Sequence, residues 1–387
     1  MIPYGRQDIS EDDINSVVKV LESEYLTQGP VVPFFEEAIS NYCGVNFGVG
    51  ANSATSALHI ACLALGLGPG DELWTSPNSF VATANCGVYC GATVDFVDVD
   101  PKTYNMCPQK LAEKLSFAEK VGRLPKIVIP VHFAGQSCEM LLIQKLSQKY
   151  GFKLIEDASH ALGAQYLGQK VGNCRFSDIT VFSFHPIKMI TTGEGGIAVT
   201  NDPIIADKLK RFRSHGVTSE LAQMAARPKD EIWNFQQTHL GYNYRMTDIS
   251  AALGLSQLKR LDLFVKKRRE IAKQYDDSLS SFPVIRPWQH QDCMNSYHLY
   301  PICLKLEELN NTQPQIFSRL RDEGILVNLH YIPIYRHPFY ETSGFKAGYC
   351  PEAERYFKRA LSLPIFYSLN DEQHNIIISK IEMVLNE

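Results

Sequence analysis

Apolar positions between about residue 50 and residue 200 follow two alternating patterns. Short runs rich in β-branched residues, typical of buried strands, alternate with longer stretches in which apolar residues recur at helical spacing. This alternation predicts a parallel sheet flanked by helices. We expect helices at residues 56–65 and 139–150, and strands at residues 93–99, 126–131, 153–156, 179–184 and 196–200.

The pattern changes after Asp248. Residues 249–279 have apolar positions at helical spacing and a basic outer face, which predicts one long connecting helix. Beyond it, the strand-like run HLYPICL, a helical stretch at residues 313–323 and a terminal helix after Asp371 indicate a small α+β unit. We therefore expect an α/β protein with a large domain at residues 1–250, and the connecting helix plus a smaller C-terminal α+β domain at residues 251–387.

Composition favours small-molecule chemistry. A chain of 387 residues with a net charge of −4 has no basic footprint for nucleic acid or acidic membranes. It begins without a signal-like segment and has no uninterrupted apolar run of about eighteen residues, so we expect a cytoplasmic protein. The ten cysteines are scattered, and Cys86 and Cys90 lack the spacing of a zinc site, so no metal is expected.

The most informative segment is SFHPIKMITTGEGG, which follows an apolar strand and contains Lys188. Open α/β sheets bind ligands at the carboxyl ends of their strands. A lysine that forms a Schiff base there must lose its proton near neutral pH, which requires a partly desolvated pocket. The glycines after Lys188 permit close backbone approach, and Ser183 offers a hydroxyl to a phosphate. The alternatives are a solvated lysine and a serine that caps the turn.

A second segment, KLIEDASHALG, places a carboxylate at the end of another apolar strand. Asp157 is the candidate partner for the ring nitrogen of pyridoxal phosphate (PLP), which withdraws electrons only while that nitrogen is protonated. The competing interpretation of Asp157 is a helix cap. His160 is a candidate for a position beside the ring oxygen, and a satisfied structural histidine is its alternative.

Three further segments add candidate ligand-binding groups. The helix start in GANSATSALH offers main-chain N–H groups and the hydroxyls of Thr55 and Ser56 to a phosphate, unless it is only an N-cap. Phe80 in SPNSFVATAN could cover a planar ring or pack in the core. Asn243 and Arg245 in GYNYRMTDIS form a polar patch or an ordinary surface turn. Arg211 and Arg213 are further candidate cations for a diphosphate.

Together these segments resemble the DegT/DnrJ/EryC1 family of sugar aminotransferases from Tyr4 to about residue 370. The motifs occur in the order LTQGP, NSATSALH, SFVATAN, EDASHALG, SFHPIK with TTGEGG, GYNYR, HYIPIY, CPEAE and LSLP. The resemblance implies the fold-type I aminotransferase architecture, PLP as cofactor and a homodimer with shared active sites. Residue by residue, it implies that Lys188 binds the cofactor covalently. It also implies cofactor-binding roles for Ala54, Thr55, Phe80, Asp157, His160, Ser183 and, from the neighbouring subunit, Asn243.

Within the family, the motifs look most like those of members that act in pseudaminic acid biosynthesis. These convert UDP-2-acetamido-2,6-dideoxy-β-L-arabino-hex-4-ulose to UDP-4-amino-4,6-dideoxy-N-acetyl-β-L-altrosamine, with glutamate as amino donor. The partners implied are therefore a UDP-linked keto-sugar and glutamate. The substrate-binding positions implied are Tyr4, Glu24, Tyr25, Leu26, Thr27, Ala54, Ser183, Asn243, His330, Tyr331, Ile332 and Pro333.

Other functions remain open from the sequence. The chain could be a 3- or 4-aminotransferase for another nucleotide sugar, or a non-catalytic protein of this fold that binds sugar nucleotides. A PLP-dependent sugar dehydratase is disfavoured, because those relatives carry histidine where this chain has Lys188. A Rossmann-type nucleotide-binding module lacks support, since the chain has no GxGxxG after a strand.

Overall fold

The computed structural model describes residues 1–226 and 230–387, and its centre is a seven-stranded sheet. Six of these strands run parallel, and β10 lies antiparallel between β2 and β9. The strands are β1 (Ile2–Pro3), β2 (Phe47–Ala51), β3 (Glu72–Thr75), β4 (Thr93–Phe96), β5 (Ile127–Ile129), β6 (Lys153–Asp157), β7 (Gln165–Tyr166), β8 (Gln169–Lys170), β9 (Ile179–Ser183), β10 (Gly196–Thr200), β11 (Val217–Thr218), β12 (Gln236–Gln237), β13 (Val284–Ile285), β14 (Cys293–Met294), β15 (Tyr300–Leu304), β16 (Ile325–Leu326) and β17 (Ala360–Leu363). The order in the central sheet is β2-β10-β9-β6-β5-β3-β4. An α/β fold with a mainly parallel sheet is therefore confirmed.

Helices cover both faces of this sheet and continue into the C-terminal part. They are α1 (Glu11–Leu21), α2 (Val31–Cys43), α3 (Ala54–Ala64), α4 (Ala82–Tyr89), α5 (Pro108–Val121), α6 (Met140–Tyr150), α7 (Pro203–Arg213), α8 (Asp248–Leu258), α9 (Leu261–Ser278), α10 (Gln313–Asp322), α11 (Pro338–Glu341), α12 (Pro351–Phe357) and α13 (Asp371–Asn386). Within the described ranges, every helix is too short or too polar to cross a membrane.

The prediction of a single long helix after Asp248 is wrong, because the helix is interrupted between α8 and α9 at Lys259 and Arg260. Arg260 leaves helical geometry, with φ −104° and ψ 0°. Its guanidinium binds the carboxylates of Asp8 and Asp13, each at 2.6 Å, so contacts with the N-terminal segment accompany the break. α8 lies between α1 and α2 and is buried on most sides, whereas α9 is amphipathic.

The expected strands all form, although several are one to three residues shorter than the sequence suggests. Two strands of the central sheet were missed. β2 has the sequence FGVGA, whose two glycines hide the strand signal, and β3 has only four residues, ELWT. Both find their partners in the sheet, which the local pattern does not reveal.

The C-terminal part forms a second apolar core around the antiparallel strands β13, β15 and β17. Helices α9, α10 and α13 contribute to this core, and so does Ile2 from the other end of the chain. Ile2 lies in β1, which pairs in parallel with β16. The N-terminal residues therefore pack with the C-terminal core, and the proposed boundary between residues 250 and 251 stays a prediction.

Candidate active site

A cleft of about 880 Å³ opens where strands of the central sheet end. Its floor comes from the segments that follow β6 and β9, and one wall comes from the start of α3 and the turn before α4. Residues 328–332 of the C-terminal part form the opposite wall, and Tyr4 of the N-terminal segment joins them. The cleft therefore collects groups that lie far apart in the sequence.

Lys188 lies on the floor of this cleft, in the connection between β9 and β10 at residues 184–195. Within this connection, the main-chain N–H of Lys188 donates to His185, and that of Thr192 donates to Phe184. Burial lowers the pKa of Lys188 to about 8, while the negative charge of Asp157 acts in the opposite direction. A substantial fraction of the side chain is therefore the neutral amine near physiological pH, which a nucleophilic lysine requires.

Asp157 is the last residue of β6 and is only 4% exposed. The Thr83 hydroxyl donates to its Oδ2 at 2.7 Å, and the main-chain N–H of Ser159 donates to Oδ1 at 3.1 Å. The residues after Asp157 form turns rather than a helix, so the alternative of a helix cap does not apply. These bonds hold a buried carboxylate against the cleft, with a hydroxyl of α4 behind it.

His160 is also buried and lines the cleft three residues after Asp157. Its Nδ1 accepts from the main-chain N–H of Ala134 at 3.3 Å, and its Nε2 lies 3.1 Å from the Tyr331 hydroxyl. Burial, followed by the electrostatic effects of Lys188 and His330, lowers the pKa of His160 well below its usual range. The imidazole is therefore neutral at physiological pH.

The start of α3 provides the donors of a phosphate-binding site. Ser53 is the N-cap, and its hydroxyl accepts from the main-chain N–H of Ser56. The Ser56 hydroxyl itself donates to the Asn52 side chain at 2.6 Å, so it is engaged in the cap and is not among the cleft-lining residues. Ala54 and Thr55 line the cleft, and main-chain N–H groups in a first helical turn have no intrahelical acceptor.

The glycine loop after Lys188 brings this helix start close to the floor. A Cβ at Gly196 would lie 2.4 Å from the main-chain N of Ala54, so only glycine permits β10 to pass so near to α3. The sequence suggested close approach to a cofactor, and the structure shows that the close approach at Gly196 is to a helix terminus. Ser183, the last residue of β9, lines the same region of the cleft.

Phe80 stands at the mouth of the cleft with 61% of its surface exposed. The alternative of plain core packing is therefore excluded for this side chain. Tyr4, His330, Tyr331 and Ile332 also line the cleft, as the resemblance implied. Pro333 follows them in the chain but is not among the lining residues.

The structure does not bring the remaining candidates to this cleft. Residues 24–27 and Asn243 are exposed and lie outside its lining. Thr27 forms an isolated antiparallel bridge with Thr247, and Asn243 forms one with Ser214. Residues 24–27 therefore lie beside the loop that contains Asn243. In one subunit these residues form a separate surface.

Of the arginines suggested for a diphosphate, Arg211 binds Asp207 at 2.5 Å and Arg213 binds Glu36 at 2.5 Å. Both guanidinium groups already have acidic partners, which makes them poor candidates. Among the described residues that line the cleft there is no arginine, and Lys188 and histidines are the basic groups. Arg245 is half-buried and lies two residues after Asn243 in the same loop.

Sequence reasoning missed several groups at this site. Thr83 lies three residues after Phe80, one helical turn away, and this spacing was the available signal. Asn328 lies just before the HYIPIY motif. His298, the first residue of the strand-like run HLYPICL, also lines the cleft, with its ring centroid 4.3 Å from that of His160. No local pattern distinguishes His298 from a core histidine.

The groups that surround this cleft fit PLP. Lys188 is a lysine with a lowered pKa, Asp157 is a fixed carboxylate for a ring nitrogen, and the α3 terminus offers donors for a phosphate. Phe80 presents an aromatic face, and the volume accommodates a cofactor together with a substrate.

The family model for the DegT/DnrJ/EryC1/StrS aminotransferase family matches residues 7–382 of the chain. A relative from Campylobacter jejuni, named UDP-4-amino-4,6-dideoxy-N-acetyl-beta-L-altrosamine transaminase, is 40% identical over 372 residues, covering 96% of this chain and 94% of that protein.

Solved structures agree with these matches. Helicobacter pylori PseC, described as an aminotransferase involved in the biosynthesis of pseudoaminic acid, superimposes with a TM-score of 0.90 at 34% identity, over 100% of this chain and 99% of that one. The PLP form of the sugar aminotransferase Spr1654 from Streptococcus pneumoniae gives a TM-score of 0.88 at 29% identity, over 100% of this chain and 98% of that one.

Proposed function

Because the chain belongs to the DegT/DnrJ/EryC1/StrS aminotransferase family, we propose that it transfers an amino group from glutamate to C4 of a UDP-linked 4-keto-6-deoxy-N-acetylhexosamine. Membership makes the protein a PLP-dependent sugar aminotransferase. The choice of substrate is supported by the named activity of the Campylobacter relative and by the description of PseC. The product would be UDP-4-amino-4,6-dideoxy-N-acetyl-β-L-altrosamine.

The observation that carries the proposed chemistry is the presence of Lys188 and Asp157 in one cleft. Burial brings the pKa of Lys188 to about 8, and the Asp157 carboxylate lies close enough to oppose that shift. A catalyst that must act alternately as nucleophile, base and acid works best when its pKa is near the working pH. Lys188 meets this condition, and a solvated surface lysine would not.

When bound, PLP supplies an aldehyde that takes up the amino group and a cationic ring that stabilises the negative charge developing on the reacting carbon. Lys188 would hold the cofactor covalently through its Nζ, and once free its neutral amine would accept and return the proton of the amino-acid carbon. Asp157, held by Thr83, would keep the ring nitrogen protonated. Phe80, at the mouth of the cleft, would present its aromatic face to the ring.

Phosphate binding falls to the start of α3, with the main-chain N–H groups of Ala54 and Thr55 and the hydroxyl of Ser183. The sugar nucleotide is bound by Tyr4 and by His330, Tyr331 and Ile332 on the opposite wall. These assignments combine the position of each residue with the role that the family resemblance implies.

We further propose that the working unit is a homodimer with shared active sites. The diphosphate of a nucleotide sugar needs cations or many N–H donors, and no arginine lines the cleft among its described residues. The segment with Asn243 and Arg245, together with the exposed residues 24–27, would complete the cleft of the neighbouring subunit. This arrangement explains why candidates implied for one site lie on two surfaces of the chain.

The test begins with purified protein, PLP and ¹⁵N-labelled glutamate. We expect the absorption of the bound cofactor to change as 2-oxoglutarate forms, and borohydride reduction to place a PLP adduct on Lys188 in peptide mass spectrometry. Addition of the UDP-linked 4-keto-sugar should move the ¹⁵N label to C4 of the sugar. Lys188→Ala should abolish all three results, and Lys153→Ala, at the opposite end of β6, should abolish none.

Each failure has a different meaning. Conversion of the cofactor by glutamate without transfer to the UDP sugar, but with transfer to another nucleotide keto-sugar, would keep the aminotransferase and overturn the substrate. Binding of the sugar nucleotide without any conversion of the cofactor would favour the non-catalytic binder.

A further inference from the structure

The loop at residues 132–135 directs a single main-chain N–H group at His160. Ala134 has a left-handed conformation with φ 58°, which is unfavourable for alanine and persists only where contacts maintain it. Asn105 accepts from the N–H of Phe133 at 2.8 Å, and the Ala134 carbonyl accepts from Leu299. These contacts leave the Ala134 N–H pointing at Nδ1 of His160.

This bond determines where the proton of His160 lies. A main-chain N–H can only donate, so Nδ1 of His160 must accept and carries no proton. The neutral imidazole therefore has its proton on Nε2. Its burial, followed by the electrostatic effects of Lys188 and His330, lowers the pKa of His160 and so disfavours a second proton. His298, which packs against it, also has a pKa well below the usual range because of burial and the neighbouring His160, Lys188, Arg268 and His330.

The Nε2–H of His160 then donates to the Tyr331 hydroxyl, 3.1 Å away. The oxygen of Tyr331 acts as acceptor in this bond, so its own proton must point elsewhere. Tyr331 lines the cleft, and its main-chain N–H is already bound by Asn78. Burial, with the nearby groups of Tyr4 and Asp157, raises the pKa of Tyr331, so the phenol keeps its proton. The cleft is the remaining direction for that proton.

We propose that Tyr331 donates its hydroxyl proton to an acceptor oxygen of a ligand in the cleft, and that His160 is the positioning residue that enforces this direction. The inference rests on the proposed function for the identity of the ligands. Two oxygens share the required chemistry: the ring oxygen of the cofactor and an oxygen of the keto-sugar. Each of these oxygens can accept a hydrogen bond from the Tyr331 hydroxyl.

The first test measures the tautomer directly in the PLP-loaded protein. Selective ¹⁵N-histidine labelling and NMR at pH 7 should show His160 with a protonated Nε2 and an unprotonated Nδ1, its signals being assigned by their loss in His160→Gln. An Nδ1–H tautomer or a doubly protonated ring would overturn the inference. This measurement does not depend on turnover, so it stands apart from the test of the proposed function.

The second test removes the donor with Tyr331→Phe, after folding has been checked by the melting temperature. If the acceptor is the keto-sugar, KM for the sugar should rise roughly tenfold while the cofactor spectrum stays unchanged, as expected for one lost hydrogen bond. If the acceptor is the cofactor oxygen, the PLP dissociation constant should rise by a similar factor, with a shift in the pH at which the cofactor absorption changes.

Tyr349→Phe is the matched control, because it deletes a hydroxyl that donates to Asp95 outside the cleft. Normal KM, normal PLP binding and an unchanged spectrum in Tyr331→Phe would overturn the inference. Failure of the wild-type protein to react with glutamate would instead contradict the proposed function.

Discussion

At the scale of single residues, Asp157 provides a direct test of the proposed chemistry. It is a buried carboxylate with a hydroxyl donor on Oδ2 and a main-chain donor on Oδ1. We expect Asp157→Asn to lower turnover by about 10², the size seen when a preorganised electrostatic partner is lost. The physical reason is that an amide cannot stabilise a protonated ring nitrogen as a carboxylate does. Steady-state kinetics with saturating PLP would measure this loss.

Thr83→Val is the companion variant, because it removes the hydroxyl that contacts Asp157 and retains the carboxylate. Its turnover should fall by a smaller factor, roughly tenfold, as for one hydrogen bond to a charged group. Equal losses in both variants would mean that the position of the carboxylate matters more than its charge. Near-normal turnover in Asp157→Asn would remove Asp157 from the mechanism.

At the scale of elements, the docking of α1 depends on Asp13. Asp13 is fully buried at the third position of α1, forms a capping box with Ser10 and binds the Arg260 guanidinium at 2.6 Å. Without the Asp13 carboxylate, Arg260 keeps Asp8 as an acidic partner, but the buried Gln257 amide and the main-chain N–H of Ser10 lose their acceptor. We therefore expect Asp13→Ala to lower the free energy of unfolding by about 3 kcal/mol in chemical denaturation. Asp12→Ala, exposed in the same helical turn, should cost under about 1 kcal/mol.

Asp13 also makes the free energy of unfolding depend on pH, and the direction of its pKa shift determines the sign. Burial alone would raise the pKa of Asp13, but bonds from Ser10, Ser256 and Gln257 and the charge of Arg260 outweigh burial and lower it. The stabilisation is therefore present above the unfolded-state pKa of about 4 and is lost as pH falls through the lower folded-state value. The difference in the free energy of unfolding between wild type and Asp13→Ala should therefore narrow only in that acidic range. A difference that stays constant with pH would contradict the stabilising role of the ionised Asp13.

At the scale of the whole molecule, shared active sites predict complementation between two inactive chains. Lys188→Ala removes the catalyst, and Asn243→Asp places a carboxylate where the neighbouring phosphate is expected. In a mixed dimer one site would carry both changes and the other neither. Co-expressed with different tags, the two chains should recover about a quarter of wild-type activity, because half of randomly formed dimers are mixed and each has one intact site.

Purified mixed dimers give the clearest measurement, since activity per dimer should be about half that of wild type if the two sites are independent. Sites built from one chain alone would show no recovery in the mixed dimer. A monomeric protein in solution, measured by light scattering at assay concentration, would contradict the shared site directly.

Local signals in the sequence determined the repeating strand-helix pattern and the two strand-end groups of the site. Lys188 and Asp157 each follow an apolar run that a parallel sheet buries. The pattern therefore predicts that both lie at the same edge of the sheet, where the parallel strands β6 and β9 end. The glycines after Lys188 likewise indicated a close approach before any contact was known. Such signals depend on neighbours within a few residues, which the sequence displays.

The tertiary structure decided what depends on distant partners. The break at Arg260 involves Asp8 and Asp13, some 250 residues away along the chain. The bond between Tyr331 and His160 joins residues 171 positions apart, and Thr83 reaches Asp157 across 74 positions. Such contacts depend on how elements pack, and packing follows from the whole set of buried surfaces rather than from any local pattern. The sequence alone thus identified the reactive groups, and only the fold determined their orientation and hydrogen-bond partners.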